Sequence, residues 1–425
     1  MLDMRYVRTH ENEVRKNLER RQDPRVMTRF EALIEKDRSW REQKQLAEKL
    51  KAQRNVLSRE ITALKKQKKD AQTKIDEAAS IPSKIKAADA QRMKLEKETN
   101  DLLMRIPNLL ANDVPTGKGE EDNAVIRTWG KRASYAFEPK SHVDLIADLD
   151  IADIPRAAKI AGARFYFLKN ELVVLDMALQ RMALDLLMKK GFVPVIPPLL
   201  MHRKPYEGVT DLKDFEDVMY KAEGEDLYLI ATSEHPLAAM HGNEILDGNK
   251  LPLKYAGVST CFRREAGAHG RDTKGIFRVH QFTKVEQFVY CKPADSPAIL
   301  EDLLKNAETV FQKLEIPYRI VNICTGEIGT VATKKYDIEA WMPAQNAFRE
   351  VVSASNCSSY QANRLSIRYR KDFQFEEKEA VHTLNATAVA NPRAIVAILE
   401  NHQNTDGSIS IPKALQPYAG FKEIK

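Results

Sequence analysis

From Leu33 onward apolar positions recur at alternating spacings of three and four. Leu33, Lys36, Trp40, Gln43, Ala47, Leu50, Arg54, Leu57, Ile61 and Leu64 share one seam, and a second runs through Ile85, Ala88, Arg92, Leu95, Thr99, Leu102 and Ile106. This spacing predicts two long helices with one narrow stripe each, which can hide their stripes by folding back on one another as an antiparallel coiled coil over residues 28–106. The outgoing helix, 28–66, would be roughly 55–60 Å long at about 1.5 Å per residue. The polar run Lys65, Lys66, Lys68, Lys69 and Asp70 marks the tip, and Ile81-Pro82 predicts a break or kink before the return helix. Residues 1–27 read as a short helical lead-in stopping near Asp23-Pro24. The same stripes would also suit a dimerisation coiled coil with a solvated basic face.

After Trp129 helix-like and strand-like patterns alternate. Residues 168–191 have helical spacing with Gly191 as the stop, followed by the apolar, proline-interrupted run Phe192–Pro198, which its prolines confine to an edge or an interface. Leu227–Leu237 reads as an apolar strand ending in Thr232, Ser233 and Glu234, and Phe348–Cys357 as a strand carrying Glu350. His382–Glu400 passes from a short polar run into a helix with Ile395, Ile398 and Leu399 on one side and Pro392 in its first turn. Residues 106–130, rich in Pro, Gly and acids, read as a connection.

A chain of 425 residues exceeds one ordinary core and predicts two or three domains. Its net charge of +7 is concentrated: residues 28–106 hold 20 Lys and Arg against 13 Asp and Glu, so all of the excess lies in the helical segment. A polyanionic partner for that segment follows, nucleic acid before a membrane surface, because no Trp/Phe-rich amphipathic face accompanies the charge. Cys261, Cys291, Cys324 and Cys357 are too widely spaced for a zinc pattern and read as reduced thiols. The first residues lack an apolar targeting core and no stretch approaches the ~20 apolar residues of a membrane span, so a cytoplasmic protein is expected.

The richest chemistry lies in Cys261–Glu286, CFRREAGAHGRDTKGIFRVHQFTKVE. Two strand-like runs carry Arg263 and Glu265 on one face of the first, and Arg278, His280, Phe282, Lys284 and Glu286 on one face of the second. The loop between, Ala266–Gly275, is glycine-rich and cationic, with Arg271 and Lys274. Paired arginines, acids and an aromatic ring suit a nucleoside triphosphate; a hairpin with a solvated charged face is the plainer reading.

The order FRxE, Gly-rich loop, FRxHQFxKVE resembles motif 2 of the class II aminoacyl-tRNA synthetases, in the form found in the seryl-tRNA synthetases. Phe192–Pro198 and the helix before it resemble motif 1, and His382–Glu400 resembles motif 3. The resemblance covers nearly the whole chain. It implies an α+β protein: an N-terminal antiparallel helical arm (1–106) that reaches the long variable arm of serine tRNA, a linker (107–130), and a catalytic body (131–425) built on an antiparallel sheet flanked by helices and dimeric through motif 1. It further implies that L-serine is activated with ATP and Mg2+ as seryl-adenylate and passed to the 3′-terminal ribose, with selenocysteine tRNA a second candidate acceptor.

By residue, the resemblance places Thr232 and Glu234 against the substrate amino group, and Glu286 and Thr387 against the serine side chain. Arg263 would bridge the substrate carboxylate and the α-phosphate; Glu265, Arg278, Val279 and Phe282 would hold ATP; and Glu350 and Ser353 would hold ATP with its divalent ion. Arg393 supplies the motif 3 arginine, and Lys65, Lys66, Lys68, Lys69, Arg271 and Lys274 are the implied tRNA contacts. Ala386, Ala388 and Ala390 stand where bacterial members carry glycines, which favours the archaeal and eukaryotic cytosolic branch. Two other readings keep the body: a related ligase loading another acceptor, and a silent RNA-binding or scaffold dimer.

Overall fold

The computed structural model describes residues 1–211, 217–265, 274–371 and 377–425. They divide into two compact units, one of Met1 with residues 5–107 and one of residues 2–4 with 108–425.

The first unit is the expected helix pair. Helix α1, Pro24–Lys66, starts on an Asp23 cap whose carboxylate accepts from the Arg25 amide, with Pro24 in the first turn where its missing N–H costs nothing. Helix α2, Gln72–Leu103, returns antiparallel: Lys36 meets Glu98 at 2.8 Å, Lys51 meets Asp89 at 3.0 Å and Lys74 meets Glu60 at 2.5 Å. Leu33, Ala47 and Leu57 bury against Ile81, Ala88 and Leu95, and Lys65, Lys66, Lys68 and Lys69 are exposed at the turn. The return helix corrects the reading of Ile81-Pro82. It begins ten residues before Pro82 and runs through it. Ile81 is buried in the seam while Pro82 faces solvent, so the buried stripe outweighs the proline.

The second unit is built on eight strands: β1 Ala124–Trp129, β2 Val193–Val195, β3 Leu253–Phe262, β4 Gln281–Cys291, β5 Tyr318–Asn322, β6 Lys334–Met342, β7 Ala347–Asn356 and β8 His382–Ala390. They order as β1-β5-β6-β7-β8-β4-β3-β2, antiparallel except for the β3–β2 pair at the edge. Pro194 therefore sits on an edge strand, as its chemistry requires. Residues 124–129, inside the stretch expected as a connection, form the opposite edge strand and pair with β5.

Side-chain alternation separates the two faces of the central strands. Val285 and Val289 of β4, Val352 and Ala354 of β7, and Leu384 and Ala386 of β8 join the core with helices α3 (Asn170–Lys189), α5 (Ser296–Lys313) and α7 (Asn391–Asn401). Their neighbours in sequence, Lys284 and Glu286, Ser353 and Ser355, and Asn385 and Thr387, point to the other face and line a cavity. The polar run from His382 is thus a nine-residue central strand, eight of whose residues are buried. It lacks a visible alternation because small residues such as Ala, Thr and Asn are buried on both faces. The segment from Leu227 has only two strand residues, Tyr228 and Leu229, before helix α4, Glu234–Ala239, takes over.

Candidate active site

The cavity on the open face of the sheet encloses about 500 Å³, and every body residue singled out above as a ligand for serine, ATP or metal lines it. Of the proposed tRNA contacts, the four arm lysines belong to the helical unit, Lys274 is exposed, and Arg271 lies outside the described residues.

One end of the cavity is acidic and closely packed. Glu286, 1% exposed, meets the Lys284 ammonium at 2.5 Å and accepts from the Thr387 hydroxyl at 3.1 Å, both on Oε2. Thr387 stands directly opposite Glu286 in the β8–β4 register, which slips by one residue immediately after, at Ala388. Glu234 faces them from the start of α4 and accepts from the Gln361 amide at 3.1 Å. Burial, then the neighbouring Glu286 charge, pushes its carboxyl up to about 7 against the opposing pull of Lys284 and Arg263.

The Thr232–Glu234 loop reaches the sheet because Gly257 of β3 leaves room for it. A Cβ there would lie 2.7 Å from Ser233 Oγ and 2.8 Å from Leu237 Cδ1, and Ser233 Oγ donates to the Gly257 carbonyl at 3.2 Å. Gly257 lies opposite Glu286, so this contact sets the distance between the two acids. A Gly257→Ala substitution forces the loop outward, and a misplacement of about 1 Å costs on the order of 10²-fold in rate. Its kcat/KM for the amino acid should fall by that order with the KM for ATP little changed; equal loss for both ligands counts against this account. Beneath the loop, His235 Nδ1 lies 2.8 Å from the Tyr206 hydroxyl, which also accepts from the Ala231 amide at 3.1 Å. Burial brings the His235 imidazole down to about 3, so this support is neutral at physiological pH.

The other end carries the cations. The strands stop short of the expected runs: β3 ends at Phe262 and β4 begins at Gln281, leaving Arg263, Glu265, Arg278 and His280 on irregular backbone. The Arg263 amide still donates to the His280 carbonyl at 2.9 Å, but the Arg264 amide turns to Val218 and the His280 amide to Arg164. Glu265 takes a left-handed backbone (φ 46°), with its carbonyl on Arg164 and its carboxylate 3.1 Å from Arg278. Such a conformation in a non-glycine residue carries strain and recurs at ligand sites. The Arg263 guanidinium lies 5.3 Å from the Phe282 ring centre.

Arg393 enters from the first turn of α7, which Asn391 pins by donating to the Asp176 carboxylate at 2.9 Å. Its guanidinium reaches the Glu350 carboxylate at 3.3 Å and the Glu350 carbonyl at 3.0 Å. Burial in the cleft would raise the Glu350 carboxyl, but Arg393, Lys335 and Arg263 outweigh it and hold the group below the usual glutamate range. Its side chain nonetheless stays 48% accessible, because the cleft itself is open. Ser353 lines the same face and lies opposite the buried Asp337 of β6. A carboxylate and a hydroxyl facing an open cleft offer only oxygen, the donor type Mg2+ takes when phosphates and water complete its shell. Sequence reasoning passed over Gly257, His235, Lys335 and Asp337, and left Lys284 without a role; only Lys284, in phase with Phe282 and Glu286, carried a local signal.

Among the described residues no helix is long and apolar enough to cross a membrane. Comparison with known proteins is consistent along the chain. Residues 1–110 match the seryl-tRNA synthetase N-terminal domain, and residues 215–402 match the class II tRNA synthetase core domain of the G, H, P, S and T enzymes. The serine–tRNA ligase of Methanospirillum hungatei is 55% identical over 424 residues, all of both chains, and that of Pyrococcus abyssi 51% identical over all of this chain and 97% of the relative. The crystal structure of Pyrococcus horikoshii seryl-tRNA synthetase complexed with ATP superimposes with a TM-score of 0.97 at 50% identity, covering 100% of this chain and 99% of that one. The cytoplasmic enzyme of Naegleria fowleri, in complex with AMP, gives 0.90 at 34%, covering 97% and 95%. With both units matched in order and the likeness running end to end, the chain belongs to the seryl-tRNA synthetases, the serine–tRNA ligases of class II.

Proposed function

We propose that the cavity activates L-serine with ATP and that the helical arm holds the serine tRNA receiving it. One observation carries this reading: a buried acidic end and a cationic end share a single cavity, with Arg263 close enough to influence both Glu234 and Glu350. The acidic end suits an ammonium and a hydroxyl; the cationic end suits a triphosphate.

Serine is held with its ammonium on Glu234 and Thr232 and its hydroxyl on Glu286, while Phe282 stacks on the adenine ring. Glu265 accepts from the adenine amino group, Val279 packs against the nucleotide, and Arg278 neutralises the γ-phosphate. The ionised serine carboxylate attacks the α-phosphorus, an oxygen–phosphorus bond forms as the α–β bridge breaks, and pyrophosphate leaves. No strong base is required, because the carboxylate is already deprotonated at pH 7. Arg263 and Arg393 hold the reactants in line and offset charge developing on the phosphate. Glu350 and Ser353 are the groups that would hold Mg2+, which would supply charge neutralisation to the triphosphate. The 3′-terminal ribose hydroxyl of the tRNA then takes the seryl group from the adenylate and AMP departs.

The exposed apolar residues Met177, Met188, Val193 and Ile196, the last 83% accessible, support a homodimer through α3 and β2. The arm lysines support the acceptor tRNA, serine tRNA first and selenocysteine tRNA second, in a cytoplasmic enzyme. Pyrophosphate exchange across a panel of amino acids tests the reading: serine alone should support exchange, and exchange with another amino acid in preference would overturn it.

Two further outcomes are expected. Because ammonium binding requires ionised Glu234, with its carboxyl at about 7, the KM for serine should rise as pH falls below about 7 while the KM for ATP stays level. Reversing Lys65, Lys66, Lys68 and Lys69 to Glu should cut tRNA charging by ~10-fold or more and flatten its salt dependence, leaving pyrophosphate exchange intact. Unchanged charging at 150 mM salt, a benchmark of about physiological strength, would refute a role for the tip.

A further inference from the structure

We propose that Lys284 is a specificity-determining positioning residue: its buried ammonium locks Glu286 so that this carboxylate reads the substrate hydroxyl, leaving Glu234 to take the substrate ammonium. The proposal rests on the serine-activating reading above. Lys284 lies on β4 between Phe282 and Glu286, on the face that lines the cavity. Its side chain is 7% exposed and that of Glu286 2% exposed, and they meet at 2.5 Å. A lysine is almost never buried this deeply unless paired, and the partner here is itself a ligand candidate.

The geometry divides the carboxylate in two. Lys284 and Thr387 both engage Oε2. Oε1 is then the oxygen directed to a ligand, and its acceptor strength is moderated by the neighbouring cation. Charge makes the same division. Glu234 and Glu286 face each other across the acidic end; Lys284 pairs directly with Glu286 and acts on Glu234 only from farther away. An arriving ammonium is therefore drawn to Glu234, whose hydrogen-bond partner, the Gln361 amide, is neutral. Without Lys284, two unneutralised acids would compete for the ammonium, and the hydroxyl would lose its dedicated acceptor.

The groups facing Glu234 are Glu286 and Lys284 from β4, Gln361 and Cys357 from the side of helix α6 (Tyr360–Leu365), Arg263 beyond the end of β3, and the Tyr206 hydroxyl. Lys284 lowers the Glu234 carboxyl among these, so its removal should move the pH profile of serine binding upward.

The test measures serine- and alanine-dependent pyrophosphate exchange in K284M and K284R. For K284M the preference for serine over alanine should fall by ~10-fold or more, since a hydroxyl-reading site loses its discrimination when its acceptor is released. The midpoint of the serine KM profile should rise above that of the unmodified protein, with the KM for ATP little changed. K284R, which keeps the cation, should restore preference and midpoint towards the original. If K284M does not fold, K284Q carries the same expectations. A folded K284M or K284Q with full preference and an unmoved midpoint overturns the proposal, as does K284R behaving no better than K284M. The unmodified protein separates the two levels: if it fails to activate serine, the activity assignment fails, whereas serine activation with indifferent Lys284 variants overturns this inference alone.

Discussion

Replacing Glu286 with Ala should cut serine-dependent pyrophosphate exchange by ~10⁴-fold or more while ATP still binds. A site built to bond a substrate hydroxyl discriminates on that order, because its own polar groups go unpaired when the bond is missing. The substitution also strands the Lys284 ammonium and the Thr387 hydroxyl, which meet on the lost oxygen. Leaving one partner of a buried pair uncompensated costs about 3–5 kcal/mol, so the variant should melt lower as well. Glu286→Gln separates the two effects. It keeps the shape and one acceptor, so it should recover part of the stability while serine activation stays at least ~10²-fold down, because the neutral amide no longer orders Lys284. Titration of ATP into both variants, beside exchange assays, reads the split. Near-normal exchange in Glu286→Ala would remove this residue from serine recognition.

Much of this was legible in the chain. Period-two spacing placed Phe282, Lys284 and Glu286 on one face, and that face lines the cavity. Heptad spacing predicted the helix pair, and Asp23-Pro24 marks where α1 begins. The departures share a physical cause: each is decided by a partner far away in sequence. Whether Arg263 to Glu265 continues a strand depends on the Val218 carbonyl, which captures the Arg264 amide instead. The role of Gly257 is set by Ser233 and Leu237 pressing on it, and no local pattern announces that contact. Strand β8 was missed because burial on both faces removes the alternation that identifies a strand. Pro82 was overweighted, since a buried neighbour on the seam can carry a helix through a solvent-facing proline. Local chemistry is therefore a good guide to which side chains line the cavity, and a weaker one to the backbone that presents them.

The second large effect is expected at Arg263, where even lysine should fail. The Arg263 side chain is fixed before any ligand arrives: its backbone amide is bonded to the His280 carbonyl at 2.9 Å, its Nε donates to the Ala231 carbonyl at 3.4 Å, and its guanidinium lies over Phe282. A planar fork held in this way can face a carboxylate on one edge and a phosphate on the other, whereas an ammonium is a point charge that reaches one of them. Removing a preorganised donor aimed at transition-state charge costs on the order of 10²–10³-fold, and in the proposed function Arg263 serves both reactants. Adenylate formation in Arg263→Lys should therefore fall by at least that factor in a single turnover. The KM for serine should change much less, because the proposed function leaves its other groups to Glu234, Thr232 and Glu286. Arg263→Ala should be slower again, by the loss of charge as well as of geometry. A single-turnover measurement of adenylate formation at saturating serine and ATP decides the matter, since it isolates chemistry from binding. A lysine variant within a few-fold of the original rate would show that charge alone suffices, and the bridging role would pass to Arg393, which stands beside Glu350 in the same cavity.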